Sequence, residues 1–145
     1  MVDRLSAEDR ELRALLGDVH TIAVVGLSSR PSRPSFAVAT YLADHGYRIV
    51  PVNPNETTVL GEPAYGSLLD IPRDVVVDVV DVFRRAPETP EIARQAVAIG
   101  AKVLWLQEGI VSDEAAAIAS AGGIEVIMGV CIKHVRERLM GEPST

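Results

Sequence analysis

Five short apolar runs punctuate the chain, at residues 21–26, 47–52, 75–83, 102–106 and 124–128. Between them lie segments with helical spacing. The first run, Thr21-Ile22-Ala23-Val24-Val25, is rich in β-branched residues and predicts a buried strand that gives out at Gly26. Phe36, Val38, Ala39, Leu42 and Ala43 then recur at helical spacing. They predict a helix over 34–45, opened by Pro34 and stopped by Gly46. Further helices are predicted over 90–99, closed by Gly100, and over 112–121, closed by Gly122-Gly123. A last one carries Cys131, Ile132, Val135 and Leu139. A short helix over 6–16 precedes everything; Ser6 with Asp9 resembles a capping box, and Leu12, Leu15 and Leu16 form its apolar stripe. Residues 56–74 have weak periodicity, with a turn at Gly61-Glu62-Pro63 and one helical turn at 67–70. Residues 141–145 are expected to fray.

Strands that alternate with helices in this way predict an α/β fold, a single Rossmann-like open parallel sheet of about five strands with helices on both faces. Short, continuously apolar strands suit a parallel sheet, whose strands are buried on both sides. At 145 residues the chain is expected to form one domain. The strand at 75–83 is the strongest, interrupted only by Asp78 and Asp81. Three positions apart, these acids face opposite sides, which argues against a carboxylate pair; one of them can cap a neighbouring loop.

The bulk numbers narrow the function. A net charge of -6 disfavours nonspecific nucleic-acid binding, which needs a basic field. No apolar run approaches the roughly 18 residues of a membrane span, and Met1-Val2-Asp3-Arg4 leads into no apolar signal region. A single cysteine excludes an internal disulfide, and a cytoplasmic setting is expected.

In an open α/β sheet the ligand sits outside the carboxyl ends of the strands. The residues just after each strand are therefore the candidates: 26–33, 53–56, 83–87, 107–109 and 129–131. They hold glycines, hydroxyls, arginines and an amide, but no histidine base beside a nucleophile. Gly26 permits close backbone approach. Ser28 and Ser29 offer hydroxyl donors, and Arg30 and Arg33 can pair with phosphate. The helix start after Pro34 adds free N–H groups and a positive dipole end. The competing use of the same turn is a plain strand-to-helix connection with solvated arginines. The dinucleotide fingerprint G-x-G-x-x-G is not met, since Gly26-Leu27-Ser28-Ser29-Arg30-Pro31 has one glycine. The acid expected near the end of the second strand is replaced by Val52-Asn53-Pro54. No Gly-Lys-Ser/Thr occurs, so a phosphate loop of the ATPase kind is absent.

Four motifs in order carry a resemblance: Val24-Val25-Gly26-Leu27-Ser28, the run Gly46 to Pro54, Leu104-Trp105-Leu106-Gln107-Glu108-Gly109, and Cys131-Ile132-Lys133. Over residues 20–139 the chain resembles the CoA-binding domain family, small Rossmann-like proteins similar to the CoA-binding domain of the succinyl-CoA synthetase α subunit. The resemblance implies coenzyme A, or an acyl-CoA, lying across the strand ends. The turn Gly26-Leu27-Ser28-Ser29-Arg30 would hold the pantetheine and phosphate part. Asn53 and Pro54 would flank the adenosine end, and Leu106, Gln107 and Glu108 would line the pantetheine path. Two departures matter. The synthetase has a lysine shortly after its second-strand motif where this chain has Glu56, which shifts any phosphate contact to Arg30, Arg33 or Arg84. The second synthetase domain, with its phosphorylated histidine, has no counterpart in these 145 residues. Binding is implied, ligase activity is not.

Other residues have plainer uses. Trp105 is expected in the core. Cys131, near a helix start, has either a thiol acidified by the dipole or the ordinary role of a small buried apolar side chain. His20, His45 and His134 have no metal-ligand spacing. Arg84-Arg85 follows a strand end, to meet phosphate or solvent. Three functions remain open: a CoA-binding protein without catalysis of its own, a short NAD(P)- or nucleotide-binding enzyme, and a regulatory module with a vestigial site. Catalysis would need a homo-oligomer interface or a partner enzyme, because a lone unit has no second domain to close over a reaction.

Overall fold

The computed structural model describes residues 6–141. The predicted frayed tail therefore lies outside the described residues from 142 onward. The elements run α1 (Ala7–Asp18), β1 (Thr21–Val25), α2 (Pro34–Asp44), β2 (Arg48–Val52), β3 (Thr58–Val59), β4 (Glu62–Pro63), β5 (Val79–Val82), α3 (Thr89–Ala98), β6 (Val103–Glu108), α4 (Asp113–Ala121), β7 (Glu125–Gly129) and α5 (Ile132–Met140). Five strands form one parallel sheet in the order β2-β1-β5-β6-β7. Pro51, which cannot donate to a ladder, sits on the edge strand β2, where it is tolerated.

The alternation of side chains sorts the core into two layers. Ile22, Val24, Ile49, Val79, Val103 and Trp105 face α1, α2 and α5 through Leu16, Leu42, Ile132 and Val135. The intervening residues, Ala23, Val25, Val50, Val80, Leu104 and Leu106, face α3 and α4, which present Ala93, Ala96, Ala115 and Ala119. Small alanines let the helices of this second layer approach the sheet closely. Helices thus cover both faces, as the strand composition predicts.

Three local expectations change. The strand over 75–83 shortens to Val79–Val82. A turn closed by the Val75 N–H on the Pro72 carbonyl takes up the front of the run. Just before the strand, the Asp78 carboxylate accepts the backbone N–H groups of His20 and Thr21 at 2.8 and 3.0 Å, capping the entry to β1. Lys102 Nζ lies 3.2 Å from the other oxygen. Burial alone would raise the Asp78 pKa; the two N–H bonds and the Lys102 ammonium overcome it and hold the carboxyl below its usual range. The capping box of α1 is half made. Ser6 accepts from the Asp9 N–H, but the Asp9 carboxylate pairs with Arg138 of α5 at 3.0 Å. Residues 58–63 form a small hairpin rather than a bare turn, with Leu60 and Gly61 both at positive φ at its tip.

Candidate functional site

The strand order reverses beside β1. β1 runs on to β2 on one side, and β5 lies on the other, so the loops after β1 and β5 diverge and leave a crevice at the carboxyl ends. Gly26 sets its geometry. Its φ is +87°, and a Cβ there would stand 2.7 Å from the carbonyl oxygen of Phe83 and 3.4 Å from Arg84 Nε. The glycine is needed because the loop after β1 is pressed against the loop after β5.

The Gly26 loop is tied down by its own polar groups. Asn53 Nδ2 donates to the Leu27 carbonyl at 3.0 Å, while its Oδ1 accepts the Asn55 N–H at 2.9 Å. Ser35 Oγ accepts the Ser28 N–H at 3.0 Å, and Ser28 Oγ accepts the Arg30 N–H at 3.1 Å. Ser29 donates through both its N–H and its hydroxyl to Glu56 Oε2, at 2.9 and 3.0 Å. The serine hydroxyl predicted to face a phosphate at position 29 is therefore already engaged. Leu27 and Leu106 are fully buried and line none of the clefts described below. Gln107 and Glu108, expected just beyond a strand, belong to β6 itself.

Two clefts adjoin at this end of the sheet, and Pro34, Phe83 and Arg84 line both. The first, about 530 Å³, is polar; it is lined by Gly26, Ser28, Arg30, Arg33, Glu56 and Arg84. Among the described residues, none of these three arginines forms an ion pair. The second, also about 530 Å³, is mostly apolar; Ala37, Val38 and Ile110 line it along with Gln107, Glu108 and Cys131. Arg84 also reaches a third hollow of about 460 Å³, beside Pro54 and Leu68. Clefts of this size suit a small-molecule ligand. The structure thus brings Gly26, Ser28, Arg30, Arg33, Asn53 and Arg84 together in one cleft. It places Gln107 and Glu108 in the second and Pro54 in the third.

Two residues singled out in the sequence have surroundings that only the fold shows. Asp81 lies in the middle of the sheet, fully buried, clasped by the Gln107 side-chain amide. Its second oxygen, Oδ2, has no hydrogen-bond partner. Burial pushes its pKa up to about 8, against a lowering by the Gln107 bond. At neutral pH this acid is largely protonated, and its partner Gln107 lines the apolar cleft. The available signal was phase: Asp81 lies two residues from Val79 and so shares its buried face. The second feature is Cys131, the N-cap of α5, which is half-buried at the cleft wall. Burial raises its pKa, against the N–H groups of His134 and Lys133, which lower it; the charges of Asp81 and Glu108 add to the rise. Of the two readings open for Cys131, desolvation outweighs the helix dipole.

No helix among the described residues is long and apolar enough to cross a membrane. Among them, no group of three or more His, Cys, Asp or Glu could hold a metal ion.

The profile of the CoA binding domain family matches residues 20–137. This chain belongs to that family. YneT of Bacillus subtilis, described as an uncharacterized protein, is 42% identical over 123 residues, covering 85% of this chain and 90% of its own length. A hypothetical protein of Pyrococcus horikoshii superposes with a TM-score of 0.88 at 37% identity, over 97% of this chain and all of the other. An acetate–CoA ligase (ADP-forming) of Archaeoglobus fulgidus is 33% identical over 84 residues. Those residues are 57% of this chain and 12% of the ligase, so the likeness concerns one region of a much larger enzyme.

Proposed function

We propose that the chain binds coenzyme A or an acyl-CoA across the carboxyl ends of β1, β5 and β6, and that it carries no catalysis of its own. The observation that supports this most strongly is the position of Arg84. It stands between a polar cleft with two further arginines that pair with no carboxylate among the described residues and an apolar cleft beyond Phe83. Coenzyme A has the matching division, with phosphates at one end and a long, weakly polar arm ending in a thiol at the other. Membership of the CoA-binding domain family supports the same ligand. The Cys131 thiol at the wall of the apolar cleft is shifted away from the reactive thiolate by burial, which supports a binding role for it. In this reading the protein acts as a carrier or sensor, or beside a separate enzyme, in the cytoplasm.

Thermal unfolding with CoA, acetyl-CoA, NAD and ATP side by side tests this. A ligand at about 100 times its dissociation constant adds about 2.7 kcal/mol. In a domain of this size that raises Tm by roughly 5–10 °C. CoA and acetyl-CoA are expected to give that rise. Arg84→Ala is expected to weaken CoA binding by roughly tenfold or more, the worth of a charged hydrogen bond of about 1.5–3 kcal/mol. A rise with NAD and none with CoA would overturn the proposal.

A further inference from the structure

Glu56 is the one carboxylate lining the polar cleft, among three arginines. Yet its oxygen is bound by no guanidinium among the described residues; it takes the N–H and hydroxyl of Ser29 instead. An acid that passes over three cations for a loop N–H and O–H marks that loop as a place where an anion is well held. A phosphate oxygen asks for the same two donors, at the same charge-assisted geometry. Glu56 stands 27 residues from Ser29 in the chain, beyond β2, and the bond between them is exposed. Because the bond is exposed, another anion in solution can reach and compete for the same donors.

We propose that Glu56 is a specificity-determining residue, an internal anion that a pyrophosphate-bearing ligand must displace from Ser29 before its phosphates can use the Gly26 loop. This rests on the cleft being the phosphate end of the CoA site. Glu56 weakens every ligand that carries a pyrophosphate there, by competition for the Ser29 donors and by like charge. A ligand without phosphates gains nothing from its removal. The loop thus discriminates by the charge of what it displaces, with Arg30, Arg33 and Arg84 supplying the compensating attraction.

The test is a titration of the isotope-labelled full chain with inorganic pyrophosphate, followed at the Ser29 amide by NMR, in the native chain, Glu56→Gln and Glu56→Ala. Gln keeps an acceptor for Ser29 and loses only the charge, so it guards against a loop that collapses in the Ala variant. Glu56→Ala is expected to bind pyrophosphate roughly tenfold more tightly, the size of one such hydrogen bond, with the Ser29 amide shifting, and Glu56→Gln, which keeps a neutral acceptor, to gain part of that. CoA on the same samples is expected to gain by a similar factor and pantetheine to gain nothing. Unchanged or weaker pyrophosphate binding in both variants, or a Ser29 amide that stays in place, would overturn the role of Glu56 even if CoA binds. Tighter pyrophosphate without any CoA binding would uphold Glu56 as the competitor and remove CoA as the ligand.

Discussion

Gly26→Ala is expected to destabilise the fold by roughly 2–4 kcal/mol and to abolish ligand binding. Two independent costs combine. The backbone at φ +87° is one that a residue with a Cβ rarely adopts, and the new Cβ would stand 2.7 Å from the Phe83 carbonyl oxygen. That neighbour is backbone at the exit of β5 and cannot rotate away. It moves only if the Phe83–Arg84 loop withdraws, which pulls Arg84 out of the clefts it joins. Thermal unfolding should show a fall in Tm on the order of 6–12 °C. Calorimetry on the surviving folded protein should show no CoA binding. Gly46→Ala is the control: it has a similar φ of +95° with nothing within 4 Å of the added carbon. It should cost only the backbone term and leave binding intact.

Asp81→Asn is expected to stabilise the protein above neutral pH and to flatten its pH dependence. The sign follows from where the proton is held. Asp81 releases its proton near pH 8 when folded and near 3.8 when unfolded. Between these values the folded state holds a proton that the unfolded state has lost. Rising pH therefore erodes stability through this window, by up to about 1.4 kcal/mol per pH unit. The stabilising contribution is fully present below pH 3.8 and is lost as pH passes through 8. Asn has the same shape, never ionises, and still offers an oxygen to the Gln107 amide. Denaturant unfolding from pH 4 to 9 should give two curves that meet at the acid end and separate by several kcal/mol at the alkaline end, with the Asn variant higher. Parallel curves would mean that Asp81 keeps its charge in the folded protein and that water or another donor reaches Oδ2.

The sheet and its two helical layers were legible because parallel strands leave a strong local mark. The β-branched run before Gly26 and the helical spacing of Phe36 to Ala43 each carry their own evidence. The cleft was legible in outline for the same reason: a glycine at a strand exit followed by arginines is a local pattern. What was not legible depends on contacts between distant segments. Asp78 stands just before its strand, where its carboxylate caps the entry to β1, 57 residues away in sequence. Asp81 meets Gln107 only through the register that sets Asp81 beside Trp105. Glu56 was legible as a departure from a lysine, but its return to Ser29 needed the fold. Leu27 and Leu106 were themselves expected at the site; both are fully buried, Leu106 by the alternation of β6 and Leu27 in the core just beyond β1.

The central claim is that CoA lies across the carboxyl ends of β1, β5 and β6, and amide chemical shifts during a CoA titration test it most directly. The expected result is that Gly26, Ser28, Arg84 and Gln107 shift together with one dissociation constant. Leu69 and Val76, exposed on the segment leading into the amino end of β5, should stay still. Shifts confined to that opposite end, or none at all at saturating CoA, would contradict the claim.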